Sequence, residues 1–149
     1  MSGIFGMNIK MSIYGESHGK SIGVVLDGLP PGLALDEAAI AAEMARRAPG
    51  QNALSTARKE SDTVEIQSGF FNGFTTGTPL CARIVNSDQH SKDYSILADK
   101  MRPGHADYAG HVRYQGFNDY RGGGHFSGRL TAPLVFAGAV AKQALAQYG

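Results

Sequence analysis

Five residues near the start of the chain, Gly15-Glu16-Ser17-His18-Gly19, set a serine beside a histidine between two glycines. They fit G-x-S-x-G, in which a strained strand-to-helix turn lifts a serine nucleophile. That geometry needs a helix directly after the turn. The next residues are instead the β-branched run Ile22–Leu26 and then Pro30-Pro31-Gly32, a strand and a break, so the serine reading lacks its structural context. His18 has two uses left open by its position: a turn histidine satisfied by its neighbours, or a general acid that can donate a proton near neutral pH.

Three further groups could carry chemistry. Arg102, His105, Asp107, His111 and Arg113 fall within twelve residues, in a stretch opened by Pro103-Gly104. His105-x-Asp107 lacks the second ligand pair at helical spacing that a zinc site needs, so an anion site with a proton-donating histidine is the better reading. Arg121-Gly122-Gly123-Gly124, followed by His125, Phe126, Ser127 and Arg129, is either a turn before a helix or a place where backbone N–H groups converge on an anion. It is neither a Walker A loop nor G-x-G-x-x-G at a strand end. Arg46, Arg47, Arg58 and Lys59 straddle Pro49-Gly50. Arg46 reads as a solvated helix end, and the set suits a multiply anionic small molecule better than DNA.

The elements that must hold these residues emerge from periodicity. Met7, Ile9, Met11 and Ile13 alternate with polar or small residues, and Ile22 to Leu26 is a short apolar run, which together predict two strands flanking the His18 turn. Asp36 caps a predicted helix to about Ala48 that aligns Ile40 with Met44 and ends at Pro49-Gly50. Thr63–Phe71 and roughly Phe74–Val85 are predicted strands joined by Asn72-Gly73, a strong hairpin signal. Asn86–Gly128 shows little periodicity, and its histidines, arginines and aromatics mark it as a functional loop. A last helix starts near Thr131 with Pro133 in its first turn. The expected fold class is α+β, with antiparallel hairpins packed against helices in one domain over residues 1–149.

Composition narrows the function classes. The formal net charge of the 149 residues is +1, which gives no general field for nucleic acid, and the single Arg-Gly-Gly-Gly copy is weak as an RNA-binding segment. The one cysteine, Cys81, suits a reducing cytoplasm, and no apolar run is long enough for a membrane span. The expectation is a cytoplasmic protein that binds neither nucleic acid nor membrane.

Taken in order, the motifs resemble the chorismate synthase family. "GESHGKSIGVVLDGLP" (Gly15–Pro30) is similar to that family's first signature, and "GHFSGRLTAPLVFAGAV" (Gly124–Val140) to its second. Between them "RRAPGQ", "TARKESD", "SGFFNGFTTGTPL", "NSDQHSKDY" and "RPGHADY" come in the family's order. The resemblance implies part of a β-α-β sandwich. It implies a lyase of the shikimate pathway that removes phosphate from 5-enolpyruvylshikimate 3-phosphate by anti 1,4-elimination to give chorismate. Reduced FMN would be required, with NADPH reducing it in some members, and the full-length protein would be a homotetramer. The family's catalytic histidines fall on His18, beside the reduced flavin, and His105, which protonates the leaving phosphate. Ser17, Arg47, Arg58 and Arg129 match substrate-binding positions, and Arg47, His125, Phe126 and Ser127 match cofactor-binding ones; no metal is implied. Many members carry Arg-Ser-Ser-Ala-Arg where this chain has His125-Phe126-Ser127-Gly128-Arg129. Family chains are more than twice as long, so the chain looks like an N-terminal portion. The alternative is a noncatalytic fragment that binds a phosphorylated ligand or another subunit.

Overall fold

A computed structural model describes residues 3–48, 62–87 and 99–147. Among these residues seven strands run in chain order: β1 (Ile4–Phe5), β2 (Lys10–Gly15), β3 (Ser21–Asp27), β4 (Val64–Ser68), β5 (Phe70–Phe71), β6 (Phe74–Thr75) and β7 (Leu80–Val85). Three α-helices accompany them: α1 (Glu37–Arg47), α2 (Asp107–Arg113) and α3 (Thr131–Ala146). Five strands form one antiparallel sheet in the order β1-β2-β3-β7-β4, and β5 and β6 make a separate two-stranded hairpin. The fold is α+β with antiparallel pairing throughout, as the sequence predicts.

The sheet's alternation chooses its inner face. Ile22, Val24 and Leu26 of β3 lie beside Ile84, Ala82 and Leu80 of β7, all buried. Against them α1 contributes Ile40 and Met44 and α3 contributes Phe136 and Val140. Burying side chains of this size contributes about 1.5–3 kcal/mol each. Asp36 caps α1, its carboxylate accepting from Ala38 N at 2.8 Å and Ala39 N at 3.1 Å. Gln143 of α3 clamps the same end, donating to Asp36 O at 3.0 Å and accepting from Asp36 N at 2.7 Å.

Three expectations change. The Met7–Ile13 alternation is not one strand: Met7 and Ile9 are exposed in the turn between β1 and β2, so their spacing reflects no buried face. Thr63–Phe71 and Phe74–Val85 are both broken: β5 and β6 pair around the Asn72-Gly73 turn, while β4 before Gly69 (φ 78°) and β7 past Gly77 (φ 83°) join the main sheet. The stretch from Asn86 to Gly128 is not structureless, since it holds α2 and a 3-10 segment, Arg121–Phe126. Helix α2 buries only Gly110, so it presents no apolar stripe for periodicity to find.

Candidate active site

The turn between β2 and β3 carries Ser17 and His18 at its tip. Gly19 N–H donates to Glu16 O at 3.1 Å and closes it. Ser17 and His18 are 2% and 5% exposed, far from the accessibility a surface turn would give them. The next element is strand β3 rather than a helix, so no nucleophile elbow forms here.

What buries His18 is the glycine run. Gly122, Gly123 and Gly124 have φ of 56°, 86° and 54°, a left-handed course that only glycine takes without strain. A Cβ on Gly122 would stand 2.5 Å from His18 Nδ1 and 3.1 Å from Ser17 Oγ. A Cβ on Gly123 would collide with the ring of His105. The two histidines therefore lie against successive residues of one backbone segment, although 87 positions separate them in the sequence. Gly124 O accepts from Ser17 N at 3.1 Å, and His125 Nδ1 lies 2.8 Å from Gly15 O, which stitches the run to the turn.

Each side of this arrangement is buttressed by an aspartate–arginine pair. Asp107 accepts from Arg102 Nε at 2.8 Å, Arg102 Nη2 at 3.0 Å and Arg102 N at 3.1 Å. His105 Nδ1 is 3.0 Å from Asp107 Oδ1. The Arg102 hydrogen bonds outweigh burial and, with the nearby charges, hold the Asp107 carboxyl at about 2. An ionised Asp107 fixes the proton on His105 Nδ1 and leaves Nε2 as the nitrogen for exchange with a ligand. On the His18 side, Asp119 accepts from Arg121 Nε at 2.9 Å, Nη2 at 2.8 Å and N at 3.0 Å. Burial pulls the Asp119 carboxyl upward, but the Arg121 hydrogen bonds and the charges of Arg121 and His18 leave it below its ordinary value.

Beneath the turn is a buried cluster that the sequence does not announce. Asp62, whose side chain is wholly inaccessible, pairs with both Arg47 and Arg129. Arg47 also donates to Thr131 Oγ1 and Gly128 O, each at 3.3 Å, and Arg129 Nε donates to Asn86 Oδ1 at 3.2 Å. Two guanidinium groups thus share the one Asp62 carboxylate. Arg46, by contrast, is exposed and pairs with Glu43 in its own helix, as expected of a solvated helix end. Arg58 lies outside the described residues.

Phe126 packs on α2 at Gly110 and stands 6.2 Å from the Tyr114 ring, centroid to centroid. With Phe117, Tyr114, His125 and Glu16 it lines a cavity of about 290 Å³. Ser127 Oγ accepts from Arg129 N at 3.3 Å and so caps the short turn before α3. Of the expected cofactor segment, His125 and Phe126 line the aromatic cavity, and Ser127 lines a second one with His125.

Asp62 and Asn86 are the residues that sequence reasoning misses. Asp62 ends "TARKESD" and Asn86 opens "NSDQHSKDY", but nothing in either motif names a partner, and only the meeting of distant segments gives either one.

A sequence model of the chorismate synthase family matches residues 9–149. The chain belongs to the chorismate synthase family. It is 52% identical to chorismate synthase of Cytophaga hutchinsonii over 147 residues, which is 99% of this chain and 41% of that one. With chorismate synthase of Burkholderia multivorans it shares 56% over 144 residues, covering 96% and 39%. A solved crystal structure of chorismate synthase superposes with a TM-score of 0.67 at 32% identity, over 96% of this chain and 35% of that one. The chain thus spans about two fifths of the length of the curated chorismate synthases it matches. Among the described residues no helix is long and apolar enough to cross a membrane.

Proposed function

We propose that this chain carries the two-histidine part of a chorismate synthase active site, acting on 5-enolpyruvylshikimate 3-phosphate with reduced FMN. The observation that carries the reading is the seating of His18 and His105 against successive glycines. A 1,4-elimination breaks a carbon–oxygen bond at one end of an allylic system and a carbon–hydrogen bond at the other to leave a diene, so proton handling must be arranged over a short distance.

His105 is the general acid in this reading. Asp107 holds its Nδ1–H, so a proton on Nε2 is the one delivered to the departing phosphate oxygen. His18, buried beside Ser17, is the second histidine of this reading, the one next to the reduced flavin. Bound reduced FMN would supply electron density to the substrate ring that no side chain can supply. The rings of Tyr114, Phe117 and Phe126 suit the flat face of a flavin, and Phe117 is 90% exposed and unburdened by packing. Glu16 and Asp119 line that cavity too, so the FMN phosphate must find its cations elsewhere. Arg47 and Arg129, held together on Asp62, face the substrate's anionic groups in this reading, with Ser17 and Arg58 as further contacts. Because Arg47 is already engaged by Asp62, Thr131 and Gly128, it adds no support for NADPH. A homotetramer in the cytoplasm belongs to the same proposal for the full-length protein.

The test is anaerobic mixing of the chain with photoreduced FMN and 5-enolpyruvylshikimate 3-phosphate, monitoring flavin absorbance and chorismate together. Chorismate formation that falls by about 10²–10⁴ in His105→Ala supports the reading, that being the usual worth of a general acid. No flavin perturbation and no chorismate would overturn it for this chain.

A further inference from the structure

Asn86 is 5% exposed and stands one residue beyond the end of β7. The ladder pairs Ser21 with Val85, and Asn86 N extends it by donating to Lys20 O at 3.2 Å. This register sets the Asn86 side chain under the His18 turn. Its Nδ2 group donates to Glu16 O at 3.0 Å and to Gly19 O at 2.8 Å, the two ends of that turn. Its Oδ1 accepts from Arg129 Nε, which Asp62 holds in turn. The chemistry fixes the amide orientation, because turning it over would set its oxygen against two carbonyl oxygens and its NH2 against a guanidinium.

We propose that Asn86 is a positioning residue for His18: it fastens both ends of the turn, and Arg129 and Asp62 brace it from below. The inference rests on the reading of His18 as a working group. It gives Arg129 a second task, in which that largely buried guanidinium orients the amide that orients the turn. No other residue type of this volume supplies two donors to the turn and one acceptor to the arginine.

Asn86→Asp separates these roles. The side chain keeps its shape and its oxygen toward Arg129, but both donors to the turn become acceptors. The measurement is long-range proton–nitrogen spectroscopy of the histidine rings in the full 149-residue chain, with amide hydrogen exchange at His18 and Gly19. We expect displaced His18 ring resonances and exchange faster by about 10-fold or more in the turn, with His105 unchanged. Asn86→Ser, smaller and neutral, gives the same readout if the aspartate variant does not fold. His18 resonances coincident with wild type and turn exchange within about twofold in the folded variant would overturn the proposal. Equal displacement of His18 and His105 would also overturn it, since that marks general loosening. These spectra need neither flavin nor substrate, so failure of the wild-type chain to form chorismate would count against the proposed function alone.

Discussion

The aspartate beside His105 decides how that imidazole is presented. Asp107→Asn keeps the shape but removes the charge that fixes Nδ1–H, and an amide can turn its NH2 toward the ring instead. If the proposed function holds, chorismate formation falls by about 10- to 100-fold in this variant, mostly in kcat, which steady-state kinetics would read. The carboxyl itself gives a pH signature. Its folded pKa of about 2 lies below the ordinary 3.8, so its contribution to stability is fully present above about pH 4 and is lost as pH falls toward 2. Carbon-13 titration of Asp107 should show a midpoint near 2, and one near 3.8 would mean that the Arg102 contacts do not form in solution. Gly123→Ala forces a side chain into the His105 ring at φ of 86°, and we expect a loss of about 1–3 kcal/mol in denaturant titration. At this scale much was legible. His18 and His105 stand in compact motifs that single them out, and the fold brings both against the glycine run. Asp62 and Asn86 were not, because a buried aspartate or asparagine gains meaning only from partners that are remote in sequence.

Elements obey the sequence where a buried face imposes a period. Helix α1 is written by Asp36, Ile40 and Met44, and its cap is testable: Asp36→Ala should cost about 1 kcal/mol and lower the melting temperature by about 2–4 °C. Calorimetry of the two proteins would read this directly. Strands β3 and β7 are equally legible, because Ile22, Val24, Leu80 and Ile84 alternate toward the helices. The same rule misleads at Met7 and Ile9, where alternation continues into an exposed turn. It is silent over α2, where Tyr108 and Val112 face solvent and no stripe exists. That helix is placed by other means: the Arg102–Asp107 pair ties down its first residue, and Phe126 fits against Gly110. Periodicity reports burial against a sheet. It cannot report burial against a loop.

For the molecule as a whole, Asp62 is the joint. It ties Arg47 at the end of α1 to Arg129 in the turn that leads into α3, from a position two residues before β4. Removing one member of a buried ionic group strands the others, at about 3–5 kcal/mol. Asp62→Asn should therefore lower the melting temperature by about 10 °C or more, with little dependence on salt because the pairs are shielded from it. A shift of a degree or two would mean that the arginines find other partners. The glycine run has a consequence of a different kind. Two imidazole rings resting on neighbouring peptide units share a datum: when that strip of backbone sways, both rings sway with it. Displacement becomes common-mode, and the gap between them varies less than the position of either. Over thermal fluctuations such a mounting tolerates drift while preserving spacing, as two marks on one ruler do.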